Sequence, residues 1–596
     1  MNKNIYKTVL FSLLVSSQSV YAEQVDITIL GTSDLHGRFI PWDYTTDKPN
    51  LSGSLSQIAT KVGELRKQDP EIILVDAGDA IQGNNIETFK NDAISPMMLG
   101  FNQLKYDAYV LGNHEFDFGL KVLKNTVTTF NGTPLAGNIF HNATSPFLPS
   151  YKIVERKGIK IGIIGMDTPM IAAFANGSDR LQDLTFSNPS IEVKKVITQI
   201  KDKTDAIILV AHMGIDNENN IADTGVGDIA RANPELAAIV AGHMHVKVDK
   251  AVINGVIITE PYKYGRALSR IDLNFKKDDQ GKYTLISKDS FTYNMNKLPS
   301  DPTMETIFKP YHHKLQQDAN KVIGQLEGQD LVPHNTIKGI PESQLHDTGL
   351  TSLFQEVGFY FAPQANVIAV HLDNMNPSLP VGDIKVKDIN FNYEYAGGEY
   401  TVYEMTGKDL KAYMEWSAGY FNSVKPNDLT YSFDAKRRSS KYSTHDIFGG
   451  VTYQIDLTQA AGHRITNLKM NGKPITDAQT INLGMNSYRM GHLTKKGGVL
   501  EGHKFKVLFD SKAHYGTEAG TVRQLTMRYI RDVKKGHITG KTENDWSVIG
   551  LSTSKADQQR IAQLVNSGKV ALPSIENGRY TNTAALTEAD LMRNTH

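Results

Sequence analysis

Five short segments in the first 250 residues each follow an apolar run and then present carboxylate, imidazole or amide side chains. They are Thr32-Ser33-Asp34-Leu35-His36, Asp76-Ala77-Gly78-Asp79, Gly112-Asn113-His114-Glu115-Phe116-Asp117, His212, and Gly242-His243-Met244-His245. Mixed carboxylate and imidazole donors suit Zn, Mn, Fe or Co, whereas an all-oxygen calcium site would not recruit four histidines. One ion takes about four protein ligands, so seven candidates (Asp34, His36, Asp79, Asn113, His212, His243 and His245) point to two ions. A carboxylate such as Asp79 can bridge ions about 3.5–4 Å apart, an arrangement suited to in-line displacement at phosphorus. The expected reaction is hydrolysis of a phosphate ester. His114 is placed as a donor to the phosphate or the leaving oxygen, with Asp117 holding its other ring nitrogen. Glu115 and Phe116 receive no chemistry and read as packing or supporting residues. His212 alone would be an ordinary structural histidine; five such segments in this order, each after a strand, are not.

The elements that must position these side chains follow from periodicity. Val25–Gly31 alternates and is rich in β-formers; Leu55, Ile58, Val62 and Leu65 recur at helical spacing; Ile72–Val75 is a second strand, giving a βαβ unit. Further strands are expected at Tyr109–Leu111, Ile161–Met166, Ala206–Ala211 and Leu236–Ala241, with a helix at Val193–Ile200. In α/β sheets, ligands gather beyond the carboxyl ends of strands, where loops converge on a rigid frame. After residue 250 the pattern becomes alternating strands, at Ala251–Thr259 and Ser269–Phe275. Ser300-Asp301-Pro302 reads as a helix start with Asp301 as N-cap, and Pro310 is expected to kink that helix or start a new one. The second half mixes a helix near Ser343–Phe361, strands at Val367–His371, Tyr400–Thr406, Val451–Leu457 and Ile481–Met485, and a helix opening at Gly407.

The domain reading is a signal segment over 1–22, a dinuclear-metal domain over 23–300, a connecting helix over 301–323, a second domain over 324–550 and an unassigned tail over 551–596, with a helix expected at Ala556–Val565. At 596 residues the chain is too long for one core, and 40% hydrophobic with 21% charged residues describes an ordinary globular α/β protein. Lys plus Arg equals Asp plus Glu at 64 each, so there is no global electrostatic case for binding a nucleic-acid polymer. Lys3, Lys7, the apolar Val9–Val15 and the ending Val20-Tyr21-Ala22 read as a secretory signal cut after Ala22, since the apolar part is far short of the roughly 20 residues a spanning helix needs. No membrane span is expected later. The expected product is a periplasmic or secreted monomer acting on a small molecule. His312-His313, His334 and His371 read as structural, and Lys436-Arg437-Arg438 as a solvated loop.

The five motifs resemble those of the calcineurin-like metallophosphoesterases, and the overall layout is similar to the exported two-domain 5′-nucleotidase family. That resemblance implies a four-layer domain with a central β-sandwich flanked by helices, and a mixed α/β substrate-binding domain joined to it by a helix. It also implies that one metal takes Asp34, His36, Asp79 and His245 and the other Asp79, Asn113, His212 and His243, with His114 and Asp117 as the catalytic pair. Where a typical 5′-nucleotidase has Asn-Gly-Gly-x-Arg, this chain has Leu372-Asp373-Asn374-Met375-Asn376. Gly450–Asp456, Arg464–Leu468 and Asn486-Ser487-Tyr488-Arg489 look more like the 2′,3′-cyclic-nucleotide 2′-phosphodiesterase/3′-nucleotidase branch. In that branch two aromatics sandwich the base, which assigns Tyr488 and Tyr395 to a nucleotide substrate, with Asn486 and Arg489 beside them. The alternatives are a 5′-nucleotidase or nucleotide-sugar hydrolase and, from another class, a non-catalytic nucleotide-binding or surface-interaction protein.

Overall fold

The computed structural model describes residues 24–593, apart from 175–180, 182, 219–220, 373, 441–443 and 577–579. The segment read as a secretory signal lies outside the described residues. Two compact units divide the chain, one of residues 1–42 and 49–311, the other of residues 43–48 and 312–596. Among the described residues, no helix is long and apolar enough to cross a membrane.

The first unit holds strands β1 (Gln24–Thr32), β2 (Ile73–Asp76), β3 (Ala108–Val110), β4 (Thr133–Leu135), β5 (Tyr151–Arg156), β6 (Ile159–Asp167), β7 (Ala206–His212), β8 (Ala238–Ala241), β9 (Lys247–Ile253), β10 (Val256–Pro261), β11 (Ala267–Lys277) and β12 (Tyr283–Asn294). One sheet has the order β12-β11-β1-β2-β3-β4 and the other β9-β10-β8-β7-β6-β5. Within them β1-β2-β3-β4 and β10-β8-β7-β6 are runs of parallel strands, so carboxyl ends share one edge of each sheet. Alternate residues of both sheets, including Ile27, Ile29, Val75, Ile161, Ile163, Val210 and Val240, form one shared core, as a sandwich requires.

Helices close the outer faces. Helix α1 (Leu55–Gln68) is capped by Ser54, whose hydroxyl accepts from Gln57 N–H, and helix α2 (Pro96–Leu104) is capped by Ser95. Phe101 of α2 lies against Tyr109 of β3, ring centroids 5.7 Å apart. On the opposite side α3 (Pro189–Ile200) and α4 (Val226–Ala232) bury Val193, Ile197, Val226 and Ile229 against Ile164, Leu209 and Ile239. The result is the four-layer architecture that the resemblance implies.

Two expectations need correction. Ala251–Thr259 is not one strand: Asn254 and Gly255 take φ of 49° and 78°, and the chain reverses there into the β9–β10 hairpin. Asn-Gly is the residue pair that such a tight turn favours. Of the two outcomes expected at Pro310, a new helix start is excluded, since helix α5 (Pro302–Ala319) is continuous through it; Asp301 Oδ1 caps that helix as expected, accepting from Met304 N–H at 2.9 Å.

The second unit is built on β13 (Val367–His371), β14 (Thr401–Thr406), β15 (Asp446–Gly449), β16 (Thr480–Met485) and β17 (Lys506–Asp510), ordered β15-β13-β16-β14-β17. Its helices include α6 (Gly349–Phe361), α7 (Gly407–Ala418) and α8 (Ser487–Thr494). The expected helix near Ser343 starts later, at Gly349, because Thr348 caps it through the Thr351 N–H. The weakly patterned tail packs Ile561, Val565, Val570, Leu586 and Leu591 against Ile337 and Leu429.

The two sheets of the first unit approach closely at Gly31 of β1, where a Cβ would stand 2.7 Å from Val240 of β8. Gly31→Val should therefore overpack the sandwich and destabilise it by about 2 kcal/mol, seen as a lowered midpoint for the first unit in urea; an unchanged midpoint would show that the sheets can separate freely.

Candidate metal centre

Asp34 and His36 follow β1, Asp79 follows β2, and His245 follows β8; one ligand atom from each lies within 4.8 Å of the others. His36 and His245 meet Nε2 to Nε2 at 3.0 Å. Asp79 Oδ2 is 3.8 Å from His36 Nε2. His36 Nδ1 faces two acceptors, the Gln82 carbonyl at 3.2 Å and its side-chain oxygen at 3.1 Å, so its proton belongs on Nδ1 and Nε2 carries a lone pair. Burial pushes His36 down to about 3, which keeps the ring neutral. Asp34 Oδ1, 3.2 Å from His245 Nε2, is buried and makes no well-aligned hydrogen bond. Lone pairs thus converge on one point, a costly arrangement unless a cation is shared there.

A second cluster joins Asp79, His212 and His243 within the same 4.8 Å limit. His212 Nδ1 donates to the Ala77 carbonyl at 2.7 Å. Its Nε2 faces Asp79 Oδ2 at 3.1 Å and Asn113 Oδ1 at 3.1 Å. Burial opposes a charge on His212, yet the Asp79 carboxylate raises it well above the ordinary imidazole range; this point strongly attracts positive charge. His243 Nε2 is paired with Glu218 Oε2 at 2.9 Å, leaving Nδ1 as the ring atom with a lone pair. Asp79 serves both clusters, and the donors fit two divalent cations sharing it.

The backbone carries an unusual load to achieve this. Asp34, His36, Asp79, His243 and His245 have φ of 52°, 44°, 58°, 75° and 55°, in the left-handed region that non-glycine residues seldom occupy. Cross-loop bonds hold them there: Asp34 N–H donates to Gly78 O and His36 N–H to Asp79 O, both at 2.9 Å. The fully buried Glu115 carboxylate accepts the N–H groups of Asp79, Ala80 and Gly112 at 2.8, 2.7 and 2.6 Å. At Gly112 a Cβ would collide with the Asp79 carboxylate. Glu115 therefore ties the Asp79 loop to the Asn113 loop.

His114 Nδ1 meets Asp117 Oδ2 at 2.7 Å. Burial disfavours the imidazolium, but the Asp117 and Asp79 charges outweigh it and push His114 up to about 9. Its ring stands 5.5 Å from that of His36. Sequence reasoning passed over Gln82 and Glu218, which fix the tautomers of His36 and His243; no local spacing marks either, because each meets its histidine only through the fold.

In the second unit Tyr395 and Tyr488 come together, centroids 6.4 Å apart and planes at 49°. Asn486 caps α8 by accepting from Tyr488 N–H at 2.8 Å. Arg489 points inward, its Nε 3.1 Å from Asp446 Oδ2. Lys436-Arg437-Arg438 is not a solvated loop: Asp434 caps a short helix, Ala435–Ser439, which turns Arg438 inward onto Tyr420 OH at 3.1 Å and lays Arg437 over Trp416 at 3.8 Å. His371, read as merely structural, pairs with Asp446 at 3.3 Å.

Residues 27–247 match the family model for calcineurin-like phosphoesterases, and residues 322–496 that for the 5′-nucleotidase C-terminal domain. The chain carries a calcineurin-like phosphoesterase domain followed by a 5′-nucleotidase C-terminal domain. It is a phosphoric ester hydrolase. The trifunctional nucleotide phosphoesterase protein YfkN of Bacillus subtilis is 28% identical over 91% of this chain, which spans only 40% of that relative's length. The 2′,3′-cyclic-nucleotide 2′-phosphodiesterase/3′-nucleotidase of Salmonella typhimurium is 26% identical over 81% of this chain and 84% of its own. A crystal structure from Staphylococcus aureus shares the fold, with a TM-score of 0.71 at 21% identity over 88% of this chain and 100% of that one.

Glu115→Gln places an amide N–H among backbone donors that need an acceptor. It should cost about 2–3 kcal/mol of stability and lower the metal retained after dialysis against dilute chelator; wild-type values in both thermal melting and metal analysis would refute the tie.

Proposed function

We propose that this calcineurin-like phosphoesterase hydrolyses nucleotides as a 2′,3′-cyclic-nucleotide 2′-phosphodiesterase and 3′-nucleotidase. One divalent ion (Zn, Mn, Fe or Co) would be held by Asp34, His36, Asp79 and His245, and a second by Asp79, Asn113, His212 and His243. The observation that carries this reading is the pair of donor clusters sharing Asp79. Bound there, two dications would lower the pKa of a water and neutralise the phosphate oxygens that repel it.

The chain's own residues supply the rest. Asp117 accepts from Nδ1–H of His114, so the cationic ring offers Nε2–H to a phosphate oxygen or to the leaving ester oxygen. Gln82, Ala77 O and Glu218 each take the outer N–H of a candidate ligand histidine and so aim its lone pair inward. Tyr395 and Tyr488, 39% and 45% exposed, offer rings to a base; a base between parallel rings needs about 7 Å, close to their present separation. Asn486 and Arg489 set the helix that presents Tyr488. The branch is supported by the Salmonella relative and by the lack of an Arg in Leu372–Asn376. The secretory pattern over 1–22 supports export.

Two experiments test this. His114→Asn should cut turnover by about a hundredfold or more while metal content stays near that of the unaltered chain; parallel loss of metal would make His114 a ligand instead. With metal restored after chelation, 2′,3′-cyclic AMP and 3′-AMP should be turned over faster than 5′-AMP, and a strong preference for 5′-AMP would overturn the branch assignment.

A further inference from the structure

The loop of residues 262–266, joining β10 to β11, carries a second conformational oddity beside the candidate metal centre. Tyr262 and Tyr264 have φ of 64° and 62°, a region where bulky side chains are outliers. Tyr264 N–H donates to the Asp34 carbonyl at 2.8 Å. Its ring meets the edge of His36 with centroids 5.8 Å apart. The loop is thereby fastened to the segment that bears two candidate metal ligands.

Cations gather on these rings. Lys263 Nζ lies 4.8 Å from the Tyr264 centroid. Arg266 Cζ lies 5.3 Å from Tyr262 and 5.5 Å from Tyr264. Arg38 Cζ stands 5.5 Å from Tyr264 while its guanidinium donates to the Trp42 carbonyl at 2.6 Å. Among the described residues neither Lys263 nor Arg266 has a carboxylate partner; Arg266 reaches only the Tyr262 hydroxyl at 3.5 Å, and its Nε is buried without a hydrogen-bond partner. A guanidinium nitrogen withdrawn from water, like Nε of Arg266, is ordinarily paired. Arg266 and the half-exposed Lys263, both without a carboxylate partner on one strained loop a single tyrosine ring away from His36, make a site of positive potential poised for an anion.

We propose that Lys263 and Arg266 form a second anion subsite, which takes the non-reacting phosphoryl group of a nucleotide bearing two phosphates. The inference rests on reading the adjacent centre as the phosphoesterase site and narrows its substrate class. Tyr262 and Tyr264 act as a platform that fixes the two cations, and the guanidinium of Arg266 can grip a phosphoryl group through two N–H donors. A second phosphoryl group could belong to a 5′-diphosphate or to a 3′,5′-bisphosphate, which share this chemistry.

The test uses the full chain with metal in excess and p-nitrophenyl phosphate as reporter substrate, against which 3′-AMP, 5′-AMP, ADP and adenosine 3′,5′-bisphosphate compete. ADP, the bisphosphate or both should compete at least about tenfold better than the monophosphates, the gain expected of one or two charge-assisted contacts. Lys263→Met and Arg266→Met should each reduce that preference, and Arg266→Lys should restore part of it. Preference for ADP alone assigns the subsite to a phosphoanhydride, and for the bisphosphate alone to a separate ester. No preference in the unaltered chain, or equal weakening of all four competitors in the variants, overturns the proposal and leaves the cations a structural role. Failure of the metal-loaded chain to hydrolyse the reporter would instead overturn the phosphoesterase reading of the centre, and the subsite with it. Lys263 is half-exposed and lies over the Tyr264 ring, so Lys263→Met remains informative should Arg266→Met fold poorly.

Discussion

One carboxylate, Asp79, belongs to both donor clusters, and the first unit is arranged around that double duty. A side chain that must present oxygen to two points within a few ångströms tolerates little movement of its own backbone. Its peptide N–H is held by Glu115, its Oδ1 accepts the His114 N–H at 2.9 Å, and its carbonyl receives the His36 N–H. Two of these bonds come from the loop after β3 and one from the loop after β1, so the loops after β1, β2 and β3 are cross-braced. The parallel strands beneath bring their ends to one edge, which lets short loops suffice. Precise positioning at the surface is thus inherited from ladders of hydrogen bonds inside the sheets.

The same logic explains what could be read from the chain in advance. A strand is a local pattern, and a ligand directly after it inherits its position; hence Asp34, His36, Asp79, His212, His243 and His245 could be grouped before any coordinates. Partners that meet only after folding leave no such trace. Glu115 stood in plain view between His114 and Phe116, yet its gathering of four N–H groups depends on two loops that are distant in sequence. Glu218 and Gln82 are similar. The hairpin at Asn254-Gly255 was legible and was passed over, because alternation on both sides looked like one continuous strand.

The second unit misled for a different reason. Three consecutive basic residues look solvated to any local rule, but Arg437 and Arg438 are drawn inward by an aromatic face and a buried hydroxyl. Burial pulls Arg437 down to about 10, a measure of how far water is withdrawn. Asp446 supplies compensating charge to Arg489, lies 3.3 Å from His371 and accepts from Tyr413 at 2.7 Å. Charge was placed where the fold can neutralise it, and the neutralising residues come from three separate strands and helices.

The position of β1 also sets an order in time. This strand, which delivers Asp34 and His36, lies in mid-sheet: Gln24 pairs with Lys276 on one side, and Ile29 with Ile73 on the other. As the polypeptide emerges during synthesis, β1 can dock on β2 early, but its other edge stays open until β11 follows almost the whole unit later. An open edge in mid-assembly is a template for mispairing. The residues that begin the candidate metal centre therefore wait longest for their frame to close, and the interval before β11 arrives is when this chain most needs protection from its neighbours.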